Sequence, residues 1–178
     1  TLTCAGVAAV AVLPEARNTR LGSSLMEWSL SDLRARGYDL AALYAFRDSF
    51  YRRFGYEVAG RRWQIRCPPD RLPRVEPTLP VRQVAPAEAH RLDRAYHAFA
   101  RARSGMNLRT REDWIVRFGK RPPMIYAAGD PVEAYAWVSM EGGFWDDLAV
   151  GEFVWSTPEG YETILATLRA LDINRGAL

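Results

Sequence analysis

Two arginines and a glycine follow a short apolar run near the start of the chain. The run covers residues 7–13, Arg17 and Arg20 lie in the polar turn after it, and Gly22 sits in a helical pattern that begins at Leu21. The first N–H groups of a helix lack internal partners and carry the positive end of its dipole. Guanidinium groups make forked hydrogen bonds to phosphate oxygens. The stretch predicts either a phosphate site or an ordinary strand–helix turn with solvated charges.

A second group that could do chemistry is the aromatic run F-Y-R-R-F-G-Y at 50–56. Asp48 and Ser49 before it are typical of a helix start, and Gly55 is typical of a helix end. A tyrosine phenol is protonated at neutral pH, so Tyr51 could donate a proton. The competing interpretation is a short helix that buries its rings against a sheet, and we prefer it for the two phenylalanines of the run.

Regular elements must position these residues. Apolar runs and proline or glycine boundaries predict a buried strand that ends at Pro14 and an amphipathic helix that ends at Gly37. Two further strands follow, and a strand–helix–strand order of this size indicates a parallel crossover. The predicted strands cover 2–13, 39–45 and 56–66, and the predicted helix covers 21–36.

Five prolines between Pro68 and Pro80 exclude a helix and favour an extended linker. We therefore expect a domain at 1–66, a linker at 67–80 and a second domain at 81–178. Thr157 and Pro158 are typical of a helix start. The second domain is predicted to contain strands over 81–84, 124–128, 134–140 and 151–156 in an antiparallel meander with connections at 142–143 and 146–147, and helices over 86–103, 111–118 and 158–171.

Composition restricts the function classes. The chain has 178 residues, 48% of them hydrophobic, which fits a packed globular protein. The net charge of +3 arises from arginines interspersed with acids, so a nucleic-acid-binding protein is the least favoured interpretation. Cys4 and Cys67 lack metal-ligand spacing, and His90 and His97 lie about 10 Å apart along one predicted helix. We expect no metal, no membrane span and a cytoplasmic protein.

Two motifs in the expected order carry a family resemblance. Val10-x-Val12 followed by R-N-T-R-L-G at 17–22 resembles the acetyl-CoA loop of the GCN5-related N-acetyltransferases (GNAT), which reads R/Q-x-x-G-x-G/A. Arg20 stands where that pattern has its first glycine. The F-Y-R-R-F-G-Y run resembles the segment that carries the family's proton donor. The resemblance implies an α/β acyltransferase fold with a mixed sheet.

Four longer stretches resemble the enhanced-intracellular-survival group of these acetyltransferases, at 10–17, 36–43, 50–57 and 150–161. This implies tandem acetyltransferase domains, both incomplete in this chain, followed in the family by a sterol-carrier-like domain. The group forms homo-oligomers, typically hexamers. It transfers acetyl from acetyl-CoA to amines that include aminoglycosides and lysine side chains.

The resemblance also implies residue roles. Tyr51 would be the general acid that protonates the departing thiolate after direct attack by the amine. Phe46 and Arg47 would border the cofactor. The pantetheine arm would contact Val10, Ala11 and Val12, and the pyrophosphate would lie against Arg17, Asn18, Thr19, Arg20, Leu21, Gly22 and Ser23. The alternative is a catalytically degenerate protein that binds CoA without turnover, which the arginine at position 20 favours.

Overall fold

A computed structural model of the chain describes residues 1–60, 63–118, 123–140 and 148–171. Clustering of contacts divides the chain into two units, Thr1–Gln64 and Ile65–Leu178. The first unit contains β1 (Cys4–Gly6), α1 (Leu21–Ala35), β2 (Leu40–Ala42) and α2 (Asp48–Arg52). Strands β1 and β2 pair in parallel with Cys4 opposite Leu40, which confirms the predicted crossover.

Helix α1 confirms the prediction and shows how its end is built. Gly37 adopts a left-handed conformation with a φ of 80°. Its N–H donates to the carbonyl of Arg34 at 3.0 Å, and the N–H of Tyr38 donates to that of Leu33 at 3.1 Å. These two bonds form a Schellman motif, which satisfies carbonyls that the helix leaves unpaired. Met26 anchors the helix, since its side chain is completely buried.

None of the three predicted strands in this unit has the predicted extent, and β2 covers only Leu40–Ala42 of the predicted 39–45. Pairing of β1 with β2 ends at the bond from the Val7 N–H to the Ala42 carbonyl, 2.8 Å long. Ala9 has a φ of 56°, a left-handed conformation that interrupts an extended strand. Residues 56–60 and 63–66 form no strand either, because no described segment pairs with them. Apolar content predicted extended backbone there, but a strand also needs a hydrogen-bonding partner.

The second unit contains an antiparallel sheet in the order β3-β4-β5-β6, which confirms the predicted meander. One predicted helix differs, because residues Pro86–Leu92 form a 3₁₀ helix before α3 begins. The predicted connections at 142–143 and 146–147 lie outside the described residues. The elements are β3 (Val81–Gln83), α3 (Asp93–Arg101), α4 (Arg111–Phe118), β4 (Met124–Ala128), β5 (Ala134–Met140), β6 (Leu148–Trp155) and α5 (Pro158–Ala170).

The sheet of the second unit lies between two apolar layers. Alternate residues of β4 and β5 face opposite sides, as the two-residue period of a strand requires. Ile125 and Tyr135 pack on one face with residues of α3 and α4, including Tyr96 and Trp114. The other face packs against α5 and contains Ala128, Ala134, Ala136, Val138, Ile164 and Leu168.

The proline-rich segment, predicted as a linker, packs against α5 instead. The Arg169 guanidinium donates to the carbonyls of Pro69, Asp70 and Leu72. The Thr163 hydroxyl accepts from the backbone N–H of Thr78 at 3.2 Å and from that of the next residue at 3.3 Å. Proline excludes helix but leaves carbonyls free to accept such bonds, so the segment belongs to the second unit.

Candidate functional site

The loop before α1 has an unusual backbone. Asn18 and Arg20 both adopt left-handed conformations with φ values of 66°. Arg20 is the residue at the helix N-cap, where its carbonyl accepts from the N–H groups of Ser23 and Ser24 at 2.9 and 3.0 Å. Left-handed backbone is the usual reason for glycine in a loop. Arg20 therefore adopts a conformation that favours glycine, at the position where the family pattern has a glycine, and it adds a guanidinium group.

The helix start that follows this loop is open. No side chain caps it, and Arg17 and Arg20 are exposed and form no ion pair with the described acidic residues. The Thr19 hydroxyl donates to the Ala16 carbonyl at 2.6 Å, and the Arg17 Nε donates to the Val12 carbonyl at 3.4 Å. The loop is thus held by its own residues, with two uncompensated cations beside a helix N-terminus. This arrangement fits a phosphate group.

The predicted pantetheine contacts lie just beyond the paired part of β1. Val10 and Val12 are half-buried and Ala11 is exposed, and residues 8–13 form no strand pairing with a described residue. The backbone groups of Val10 and Ala11 and the N–H of Val12 are therefore available to a ligand, whereas the Val12 carbonyl accepts from Arg17. An apolar depression of about 340 Å³ adjoins them, and it is lined by Ala11, Val12, Leu13, Ala16, Leu21 and Leu25.

Tyr51 is the buried member of an aromatic cluster. Its side chain is only 4% exposed. Its ring centroid lies 5.1 Å from that of Phe50, 5.4 Å from that of Phe46 and 6.0 Å from that of Tyr56, all in edge-to-face geometry. The core packing predicted for Phe50 and Phe54 is only partial, because both are half-buried while Tyr51 fills the interior.

The start of α2 lies one residue earlier than its capping residues predict. Asp48 is the first helical residue, where its carboxylate complements the helix dipole, and Arg47 is at the N-cap. Arg47 is exposed, and Phe46 is 72% exposed. Both therefore present their side chains to solvent beside Tyr51.

Gly22 lies close in space both to the residues after β1 and to α2. A Cβ built at this position would lie 3.6 Å from Val12 Cγ2 and 3.7 Å from Phe50 Cζ. Phe50 in turn contacts Tyr51. The structure thus places the loop before α1 and the unpaired residues after β1 near the cluster that contains the buried phenol of Tyr51, which lies roughly 30 to 40 residues further along the chain.

Comparisons with known proteins agree with this geometry. Residues 1–59 match the family model described as an acetyltransferase (GNAT) domain. A GCN5-related N-acetyltransferase from Kribbella flavida superposes with a TM-score of 0.77 at 27% identity, over 95% of this chain and 42% of that one. The fold is that of the GNAT N-acetyltransferases. A second such protein, from Anabaena variabilis, has a TM-score of 0.80 at 20% identity over 94% of this chain and 45% of that one.

Further comparisons show how much of the known GNAT structures this chain covers. Eis1 from Mycobacterium abscessus superposes with a TM-score of 0.64 at 20% identity, over 96% of this chain and 46% of that one. The chain thus spans less than half the length of these GNAT structures. No curated protein matches its sequence significantly.

Sequence reasoning missed a buried hydroxyl in the aromatic cluster around Tyr51. The Tyr56 hydroxyl is fully buried and has no hydrogen-bond partner among the described residues. Burial raises the pKa of Tyr56, and the nearby Tyr51 and Cys4 add to that rise. The sequence offered one signal for this hydroxyl: the aromatic run ends with a tyrosine, whereas a phenylalanine would supply the same ring without a hydroxyl.

Sequence reasoning also missed a buried ion pair in the second unit. Arg109 and Glu152 form a bidentate pair, and the Tyr135 hydroxyl donates to Glu152 at 2.6 Å. The guanidinium also lies over the rings of Tyr96 and Trp114, 3.9 and 4.6 Å from their centroids. Burial opposes the charge of Arg109, but the bonds to Glu152 and its charge outweigh burial and raise the pKa of Arg109. No motif marks this cluster in the sequence.

The two histidines belong to no metal-binding cluster among the described residues. His90 is exposed and His97 is half-buried, and no group of three metal-binding side chains occurs among the described residues. Within the described ranges, no helix combines the length and apolarity that crossing a membrane requires.

Proposed function

We propose that this protein transfers an acetyl group from acetyl-CoA to a primary amine. The observation that carries the proposal is the proximity of Gly22 to Phe50, whose ring would touch a Cβ at position 22 and itself packs on Tyr51. This proximity places an open, cationic helix start near the cluster around Tyr51. The match of residues 1–59 to an acetyltransferase domain supports the proposal independently.

The residues of the first unit fit acetyl-CoA in three ways. The backbone groups of Val10, Ala11 and Val12 are proposed to hold the pantetheine arm. The exposed guanidinium groups of Arg17 and Arg20, with the backbone of Asn18, Thr19, Leu21, Gly22 and Ser23, are proposed to hold the pyrophosphate. Phe46 and Arg47 are proposed to border the cofactor near its reacting end.

Acetyl-CoA supplies an acetyl group activated as a thioester. In the proposed step a neutral amine forms the new C–N bond while the C–S bond breaks, and the site holds the two reactants in line for this attack. Tyr51 donates its phenolic proton to the departing thiolate sulfur and regains a proton from solvent, while the attacking nitrogen releases one proton to solvent as the amide forms. Backbone N–H groups near Val10 stabilise the oxyanion. No covalent intermediate on the protein is required.

The proposal also includes the acetyltransferase subgroup, the oligomeric state, the compartment and the role of the second unit. The four stretches that resemble the enhanced-intracellular-survival group support membership in it, and with it a homo-oligomeric, cytoplasmic enzyme. The fold likeness to Eis1 from Mycobacterium abscessus is consistent with this grouping but is shared by other GNAT structures. The second unit is proposed to be the counterpart of the first in a tandem arrangement.

A second candidate is a protein that binds CoA without transferring its acetyl group. Two observations favour it: Arg20 replaces the first glycine of the loop pattern, and Tyr51 is only 4% exposed. In that case CoA binds in the same loop, but the phenol has only a packing role.

Release of the free CoA thiol from acetyl-CoA distinguishes the two candidates. The assay uses a panel of primary amines, and the control for each is the tertiary amine of the same skeleton, which cannot form a stable amide. Thiol release with a primary amine and not with its tertiary counterpart supports the transferase. A melting temperature that rises with CoA, without thiol release for any amine, supports the binding protein.

A further inference from the structure

Helix α2 carries Tyr51 but has little stability of its own. It is five residues long, and isolated helices shorter than about 12–15 residues are marginal in water. Its N-cap residue, Arg47, makes no side-chain capping bond. The position of α2, and of the phenol that it carries, must therefore be fixed by the side chains that pack this helix against its surroundings.

Phe50 is the side chain of α2 that approaches the loop before α1. Its ring is half-buried, and its Cζ lies 3.7 Å from the place that a Cβ on Gly22 would occupy. That Cβ would also lie 3.6 Å from Val12 Cγ2, so the tip of the ring lies where the loop and the residues after β1 come together. Of the three rings described as packing on Tyr51, Phe50 is the one that comes this close to position 22.

The same ring also packs on Tyr51. The two ring centroids are 5.1 Å apart with an interplanar angle of 87°, an edge-to-face contact. Neighbouring residues of an α-helix project about 100° apart around its axis. With the Phe50 ring placed beside position 22, the rotation of α2 about its axis is set, and with it the direction in which Tyr51 projects.

We infer that Phe50 is a positioning residue for the proposed reaction, in which it sets the distance between the phosphate-binding loop and the Tyr51 hydroxyl. The inference rests on the proposed function, because it concerns the proton that Tyr51 donates. A cofactor held at the loop brings its sulfur to one place, and the phenol must lie within hydrogen-bond reach of it. A displacement of about 1 Å can lower the rate by about 10²-fold.

The test is a double-mutant cycle in the full chain, with kcat and the KM for acetyl-CoA measured with a primary amine that the protein accepts. Phe50→Leu keeps an apolar side chain but removes the end of the ring that approaches position 22. We expect it to lower kcat by about 10²-fold and to change KM by less than about threefold. In a Tyr51→Phe background the same substitution should change kcat by less than about threefold, because the hydroxyl that Phe50 positions is already absent.

Two further variants control for loosened packing. Phe54→Leu makes the same change at another half-buried ring of the aromatic run, beyond the end of α2, and should leave kcat near that of the unmodified protein. Phe50→Met has a longer and more adaptable side chain than the leucine variant, so it should lose less kcat, and this loss should also vanish in the Tyr51→Phe background. Thermal unfolding shows which variants are folded at the assay temperature.

Each contrary result has a distinct meaning. Equal losses of kcat in the two backgrounds overturn the inference and leave the proposed transferase intact, because Phe50 would then act through something other than the Tyr51 hydroxyl. A raised KM for acetyl-CoA with an unchanged kcat also overturns it and assigns the ring to cofactor binding. So does a Phe54→Leu variant that loses as much kcat as Phe50→Leu. Absence of thiol release with every amine overturns both the inference and the proposed function.

Discussion

Gly22 leaves room for a methyl group next to the ring of Phe50, since a Cβ at position 22 would lie 3.7 Å from Phe50 Cζ, an ordinary van der Waals distance. The protein itself can therefore accommodate a methyl group here without moving. Any effect of such a group on CoA binding must come from the ligand side of the helix start, where a glycine lets a phosphate approach the backbone closely.

This relationship makes position 22 a direct test of the CoA site. Gly22→Asp should abolish the rise in melting temperature that CoA produces, because a carboxylate would oppose the phosphate charge. Gly22→Ala should leave the melting temperature without CoA unchanged or slightly higher and reduce the CoA shift only in part. Thermal unfolding with and without CoA measures both effects. An undiminished shift in the Asp variant would mean that CoA binds elsewhere.

Replacement of Tyr51 by Phe tests the proton donor. The variant retains the ring and its contacts with Phe46 and Phe50 while removing the hydroxyl. General acid catalysis contributes about 10²–10⁴-fold, so kcat should fall by that factor with little change in CoA affinity or melting temperature. Tyr38→Phe, at an exposed tyrosine after α1, is the control. Near-normal kcat in the Tyr51 variant would leave this residue with a packing role only.

Loss of the Arg109–Glu152 ion pair should strongly lower the free energy of unfolding of the second unit. Glu152→Gln leaves the buried guanidinium of Arg109 without a counter-charge and should lower the free energy of unfolding by about 3–5 kcal/mol. Glu162→Gln, at an exposed position on α5, should change it by less than about 0.5 kcal/mol. Urea denaturation measures both variants. Equal effects would show that the pair contributes no more than a surface charge.

The pH dependence of the first unit should include a contribution from Asp39. The backbone N–H and the hydroxyl of Thr3 both donate to its carboxylate at 2.7 Å, and these bonds hold the pKa of Asp39 below 3.8. A lowered pKa means stabilisation that is present above the unfolded-state pKa and is lost as the pH falls through the folded-state pKa. An NMR titration of the Asp39 carboxyl carbon measures this directly.

Thr3→Val provides the control for that titration. It removes the hydroxyl and keeps the backbone donor, so the pKa of Asp39 should rise toward 3.8 without reaching it. An identical titration in the two proteins would show that the hydroxyl bond is absent in solution.

Local chemistry made the helices predictable. Helix signals depend on residues that are close in the sequence. For α1 these are the apolar spacing and the glycine after the helix, and for α5 they are Thr157 and Pro158 at its start. The structure has both helices at the predicted places. Strand lengths were less predictable. The apolar run after Gly6 was interpreted as continuous strand, but Ala9 turns the backbone and the pairing stops at Val7.

The sequence by itself determined helices α1 and α5, the parallel crossover and the two motifs of the candidate site, because each depends on neighbouring residues or on a fixed order along the chain. Only the tertiary structure decided which rings are accessible and which charges are paired. Phe46 and Tyr51 are five residues apart and similar in apolar character, yet one is exposed and the other buried. Arg109 is one of many arginines, and packing pairs it with Glu152, which is 43 residues away. Burial and long-range pairing depend on how the elements pack together, and no local pattern records that.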